Sequence, residues 1–503
     1  MISGLGSNLG CGSIYSGKVG AVASGHPLAT NTAIATLAAG GSAVDAAIAA
    51  AYVLMVVLPE ACGIGGDAMA LVASEKGGVM SLYGAGLSPA GFAGELGTDG
   101  ASTTSTPGAV AALDRMGTLY GALPRRDNLA AAVTLARDGF ALSETLLAAQ
   151  RRHRNRLGRG SGSSELARND LQIGDMLRFP ALADTIEAIA GEGPSAFYSG
   201  SVAAAIETTA RNEGGALSVA DLEAHVTLEA PAISKIVGGA VVYAPPPPSQ
   251  AVLALLALGA LESVKPTAPP VRAHAAIEAI EAAFQHRAAI GMAGVAQQLL
   301  DQTLEVDLSC AQHRDGPTLP THTTTVATAD SGGMVVSMTI SLYDEFGCAT
   351  LVKEHGILLN DRMLGFDRDP ESPNVARPSA RPVNTLSPLL VEQRDRRFAL
   401  CTPGADGQVQ TTTQILDAVL RGGLGLPDAI DRPRWRSANG EVAVEIGLPS
   451  DILAHLESLG HRLSLLPYLD RTFGAAVAAG ANKTDGSTFS FADRRREASA
   501  GAL

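Results

Sequence analysis

The stretch from Pro320 to Leu342 constrains this chain most. Thr323-Thr324-Thr325-Val326-Ala327-Thr328-Ala329 places β-branched and small residues in strand-like order, and Ser331-Gly332-Gly333 is a polar turn. Met334 to Leu342 then resumes a second strand-like run. This is a β-hairpin with a hydroxyl-rich entrance. On propensity alone a threonine-rich strand is chemically idle, so its significance has to come from the rest of the chain.

With 503 residues the chain exceeds the size of a single small core, so one large or two intimately packed units are expected. Apolar residues make up 46% and charged residues 17%, the balance of a large packed core and the opposite of disorder. Aromatics are scarce while alanine and glycine abound, so helices are expected to pack closely through small side chains. A net charge of −13 argues against a nucleic-acid partner. The local exception, Arg151-Arg152-His153-Arg154-Asn155-Arg156 with Arg159, reads as a solvated helix end in preference to an anion-binding lid. The five cysteines stand singly with no metal-ligand spacing, which suggests reduced thiols, no metal and a cytoplasmic setting. No secretory leader pattern opens the chain. The most apolar run, 43–58, contains Asp45 and is shorter than the roughly 20 residues a membrane span requires, so a buried helix is expected.

Helices are predicted over 28–39 and 43–58, broken by Gly40-Gly41, with Ser42 capping the second and Pro59 stopping it. Cys62-Gly63-Ile64-Gly65-Gly66-Asp67 lies between a helix and a strand, the reverse of a phosphate loop, and no lysine follows. It reads as a tight turn permitting close backbone approach. Strands are predicted over 68–74, 79–84, 388–391 and 398–401, and helices over 128–150 with Gly139 as an interruption, 197–213, 251–262, 272–290 and 408–420. Between 297 and 322 the pattern dissolves into polar residues and prolines, the best candidate for a linker. Helical layers enclosing antiparallel strands imply an α+β layered sandwich.

Several of these segments resemble the γ-glutamyltransferase family in order along the chain. They include Val22-Ala23-Ser24-Gly25-His26-Pro27, Gly40-Gly41-Ser42-Ala43-Val44-Asp45-Ala46-Ala47, Gly63-Ile64-Gly65-Gly66, Pro245-Pro246-Pro247-Pro248-Ser249, Gly356-Ile357-Leu358-Leu359-Asn360-Asp361 and Arg381-Pro382-Val383-Asn384-Thr385-Leu386-Ser387-Pro388. The resemblance implies a four-layer αββα N-terminal-nucleophile hydrolase, made as a precursor that cuts itself before a threonine. The freed threonine then supplies its hydroxyl as nucleophile and its α-amine as base, chemistry for which an amine titrating near 8 is suited.

The family register falls on His322-Thr323-Thr324-Thr325, implying Thr323 as nucleophile and cleavage between His322 and Thr323; Thr321 and Thr324 are the rivals if the register slips. A large subunit 1–322 and a small subunit 323–503, paired as a heterodimer, would follow. The resemblance assigns Ser341 to hold the nucleophile, and Gly404 and Ala405 to the oxyanion hole. Asn384 and Thr385 stand where the family has a Ser-Ser pair beside the substrate. The departures are equally specific. No arginine follows Ser88-Pro89-Ala90, Gly365 occupies the position of the acid that binds the α-ammonium, and Tyr343 replaces an asparagine. Arg362 is either a surface partner of Asp361 or Asp367 or a contact for an anionic group of another acyl donor. Losing both halves of the amino-acid clamp removes two charge-assisted contacts. A small-molecule amide or acyl substrate other than a γ-glutamyl compound is therefore expected, handled without a cofactor. C–C bond cleavage beside a carbonyl, true γ-glutamyl transfer, or an unprocessed binding protein are the alternatives.

Overall fold

Two seven-stranded antiparallel sheets lie face to face with helices on both outer faces, in a computed structural model that describes residues 14–74, 78–159, 165–264, 268–292, 294–314 and 322–503. The first sheet runs Ser499–Ala502, Gly20–Ser24, Thr324–Asp330, Val335–Ser341, Asp67–Ala73, Val79–Gly84, Leu228–Pro231. The second runs Tyr15–Gly17, Thr488–Ala492, Val477–Asn482, Arg396–Cys401, Leu389–Glu392, Ala240–Ala244, Ile233–Val237. The expected αββα sandwich is the observed one.

Side-chain size explains the tight middle layer. Ala23, Leu71, Ala327 and Ala329 from one sheet meet Leu390, Ala399, Val477 and Ala479 from the other, all fully buried. On the outer face of the first sheet, Val22, Val72, Val326, Met338 and Ile340 pack against the helices Pro27–Ala38 and Ala43–Val57. The second sheet sends Val242, Val391, Phe398 and Leu400 against Ala251–Ser263, Pro269–Phe284 and Gly407–Leu416. The run expected to be a buried helix is one: every residue of Ala43–Val57 is buried. Ser42 and Asp45 form a capping box at its start. Among the described residues no helix is long and apolar enough to cross a membrane.

The hairpin sits at the centre of its sheet. Its strands pair with each other from Thr324↔Ile340 to Ala329↔Val335, and are flanked by Gly20–Ser24 on one side and Asp67–Ala73 on the other. Asp330, where the hairpin turns, accepts the Ala43 amide at 2.8 Å and so ties the turn to the capped helix. The glycine cluster before Asp67 behaves as anticipated: a Cβ on Gly66 would collide with the Ser341 carbonyl, and one on Gly65 with that of Leu358.

The helical stretch 128–150 is interrupted at Gly139 as expected: it forms two helices, Arg125–Asp138 and Glu144–Leu157, and Gly139 takes φ +106° and turns the chain. Two expectations need correction. The supposed linker begins inside a helix, Val295–Leu300. It then packs through Ala311, whose amide donates to Leu459, and through Gln312 and Arg314, which bond to Glu278; residues 315–321, including the rival Thr321, lie outside the described residues. The basic run is not simply solvated. Arg152 and His153 both bond Glu345, while Arg156 grips Asp99 and the Gly347 carbonyl. Helical periodicity points those side chains back at the sheet ends, which no local pattern announces.

Candidate active site

Thr323 lies one residue before the strand Thr324–Asp330, so it is held by the sheet yet keeps its backbone outside the ladder. It is buried, as are Thr324 and Thr325. Its hydroxyl is 3.4 Å from Ser341 Oγ, at the end of the partner strand. Ser341 in turn accepts the Tyr343 amide at 2.8 Å and donates to the His322 carbonyl oxygen at 3.0 Å. A hydroxyl thus bridges the side chain of Thr323 and the peptide carbonyl immediately before it.

His322 is nearly buried, and its Nε2 sits 2.6 Å from Glu345 Oε1. Burial pulls the imidazole down to about 4, against the hydrogen bond to Glu345 that favours its charged form, so it is neutral near pH 7 and donates to the carboxylate. Burial works to raise Glu345, but hydrogen bonds from His153, His322 and Arg152 outweigh it and hold the carboxyl well below the usual range. Beside them a small cavity of about 40 Å³ is lined by Thr323, His322, Glu60, Pro403, Arg471 and Arg496 among others. Burial pushes Glu60 up to about 8, and one of its carboxylate oxygens has no hydrogen-bond partner among the described residues.

The second group of predicted residues comes from loops between the sheets. Arg396–Cys401 delivers Thr402, Pro403, Gly404 and Ala405 to the end of the strand paired with Val477–Asn482. Gly404 has φ +121° and Ala405 φ +46°, and both carbonyls are tied down. Gly404 O accepts from Gly407 N at 2.8 Å and Arg436 Nη2 at 2.9 Å; Ala405 O accepts from Gln408 N at 3.0 Å and Gln250 Nε2 at 3.1 Å. None of the described hydrogen bonds uses the amide of either residue as donor. The two carbonyls are thus fixed by backbone and side-chain donors.

Arg362 is the clearest correction. It is fully buried, and its partner is neither Asp361 nor Asp367 but Asp67, with Nε 2.5 Å from Oδ2. Its Nη1 reaches Thr385 Oγ1 at 3.4 Å, and its guanidinium lies 4.7 Å over the Tyr343 ring. Nη2 is buried and has no hydrogen-bond partner among the described residues. Burial raises Asp67 while Arg362 opposes the rise. Asp67 is the register partner of Ser341, so the two side chains leave the same face of adjacent strands. That pairing links Arg362, Thr385 and Tyr343 to the Thr323 end of the hairpin. Asn384 is buried beside Thr385, its Oδ1 accepting the Leu386 amide at 2.9 Å.

Sequence reasoning missed Glu345, Asp67 and Glu60. The Arg-His run was the one signal for Glu345, since it marked a concentration of cations in need of an anion. For Asp67 the clue was an acid directly after a glycine turn. Glu60 carried no signal.

The γ-glutamyltranspeptidase family model matches residues 29–503. The chain belongs to the γ-glutamyltranspeptidase family. It is 28% identical to an oxamate amidohydrolase proenzyme of Klebsiella pneumoniae over 494 residues, covering 90% of this chain and 93% of that one. It is 30% identical to a glutathione hydrolase-like proenzyme of Bacillus subtilis, covering 91% and 93%. A solved cephalosporin acylase from Bacillus halodurans superposes with a TM-score of 0.91 at 28% identity, covering 100% and 99%. This γ-glutamyltranspeptidase family member is thus an N-terminal-nucleophile enzyme of the hydrolase and acyltransferase class.

Proposed function

We propose that this family member cuts itself between His322 and Thr323 and then hydrolyses, or transfers the acyl group of, a small amide lacking a γ-glutamyl moiety. The observation that carries this reading is the Ser341 hydroxyl, placed between Thr323 Oγ and the His322 carbonyl. In the precursor, Thr323 Oγ attacks the His322 carbonyl carbon, whose oxygen the Ser341 hydroxyl polarises. The C–N bond breaks, the Thr323 nitrogen gains the proton, and water hydrolyses the resulting ester to leave a His322 carboxylate and a free Thr323 amine.

In the mature enzyme that amine takes the proton of Thr323 Oγ as it attacks the substrate carbonyl. The amides of Gly404 and Ala405 receive the oxyanion, the substrate's amine departs protonated, and water or an acceptor amine releases the acyl group. Substrate choice falls to the Arg362 group. The Asp67 pair neutralises Arg362, leaving Nη2 as a directed donor for a carbonyl or carboxylate oxygen of a compact acyl group, with Asn384, Thr385 and Tyr343 alongside. The similarity to an oxamate amidohydrolase proenzyme and to a cephalosporin acylase supports a non-glutamyl amide. The large subunit is 1–322 and the small subunit 323–503, forming one heterodimer.

The test pairs denaturing electrophoresis and intact mass with amide-hydrolysis assays. Two fragments meeting at 322/323, and ammonia release from oxamate or another small oxo-acid amide exceeding turnover of γ-glutamyl-p-nitroanilide, are expected. A single full-length species after long incubation would establish an unprocessed binding protein instead. Efficient release of p-nitroaniline would return the chain to γ-glutamyl chemistry.

A further inference from the structure

On the outer side of the second sheet, the helix Pro269–Phe284 places His274 and Glu278 one turn apart, at i and i+4 on the same face. Both are fully buried, and His461, just ahead of the strand Leu463–Leu466, is buried against them. One ligand atom from each of the three lies within 4.8 Å of the others. His274 Nε2 is 2.9 Å from the Asp307 carbonyl, which makes it the donor and leaves the Nδ1 lone pair aimed at His461 Nε2, 2.8 Å away. A ring nitrogen tied to a carbonyl with its other nitrogen facing inward is how a metal-bound histidine is oriented. Glu278 is oriented as firmly: Arg314 Nη1 reaches Oε2 at 2.6 Å, and the Gln312 amide reaches Oε1 at 3.1 Å.

We propose that His274 Nδ1, His461 Nε2 and a carboxylate oxygen of Glu278 hold a divalent cation of the Zn²⁺ class. Two imidazole nitrogens and one carboxylate oxygen match the preference of this borderline ion, with water completing four-coordination. Metal–nitrogen bonds of about 2.0–2.1 Å set tetrahedral ligand atoms roughly 3.3 Å apart, so the histidine pair opens by about half an ångström on binding. The Arg314 guanidinium sits on the outer side of Glu278 and opposes the cation. Glu281, buried on the same helix and bonded by the Arg314 amide and Ser437 Oγ, supplies compensating negative charge. The ion would fasten the segment 304–314 in place through Asp307, Gln312 and Arg314. If the chain is cut at 322/323, His274 and Glu278 belong to one subunit and His461 to the other, and the ion becomes a staple between them.

The test titrates tag-free, chelator-treated protein with Co²⁺ and Zn²⁺. Expected are one Co²⁺ per chain with the visible absorption of a four-coordinate ion, its displacement by Zn²⁺, and a rise in Tm with Zn²⁺. His461→Gln and Glu278→Gln should each weaken binding by at least about tenfold. The Thr323→Ala precursor should bind as the wild type does, so failure of self-cleavage and failure of the metal site are read separately. No absorption and no Tm shift in the wild-type protein at excess metal would overturn the proposal. So would undiminished binding by both ligand variants, since the ion would then lie elsewhere.

Discussion

Ser341 Oγ donates to the carbonyl oxygen of His322 at 3.0 Å while lying 3.4 Å from Thr323 Oγ. One hydroxyl therefore touches both the group proposed to attack and the carbonyl proposed to be attacked. Removing it while keeping the strand isolates its contribution. Ser341→Ala should slow appearance of the two fragments by on the order of 10²-fold, the usual cost of losing one oxyanion donor. A time course by denaturing electrophoresis measures it, and an unchanged rate would remove Ser341 from the reaction.

Thr323→Ala should abolish the cut altogether, leaving one full-length band of unchanged fold. N-terminal sequencing of the wild-type small fragment should begin at Thr323. A fragment beginning at Thr324, or cleavage surviving in the alanine variant, would show that another threonine is the nucleophile.

Breaking the Asp67–Arg362 pair should damage stability more than any surface ion pair does. Arg362→Met leaves the Asp67 carboxylate buried without its cation, at a cost of about 3–5 kcal/mol in unfolding free energy. Chemical denaturation gives the value. The double variant Asp67→Leu with Arg362→Met should recover a large part of the loss, because no uncompensated charge then remains.

Glu60 offers a pH-dependent check. Burial holds its carboxyl near 8 in the folded protein against an ordinary 4.5, so the folded chain keeps a proton that the unfolded chain releases. Stability from this group is present below about pH 4.5 and is lost as pH rises toward 8. Glu60→Gln lacks that loss. Its Tm relative to wild type should increase steadily from pH 5 to pH 8 and level off above; a difference independent of pH would mean the wild-type carboxyl is ionised throughout.

Ala405 sits at φ +46°, where a Cβ is strained by roughly 1–2 kcal/mol. Ala405→Gly should raise stability modestly, or leave it level where the flexibility of glycine in the unfolded chain offsets the relief. It should leave kcat within a few-fold, because the proposed hole uses the backbone N–H and not the side chain. A large loss of kcat would point to the methyl group as part of the acyl pocket.

The hairpin, the capped helix Ala43–Val57 and the glycine turn ahead of Asp67 were all legible in the chain itself. Each depends on neighbours a few residues away: a two-residue period, a Ser-x-x-Asp cap, a backbone with no Cβ. The ordered family motifs extended that legibility to the αββα sandwich, and they named Thr323, Ser341, Gly404 and Ala405 as candidates for the site. What only the tertiary structure decided were the partnerships: Arg362 with Asp67 across 295 positions, Arg152 and His153 with Glu345, and the packing of 304–314 against Glu278. Burial and charge pairing act between groups that folding alone brings together. A charged residue looks the same in the sequence whether its partner is water or a buried acid, and the energetic difference between the two arises only once the sheets close over it.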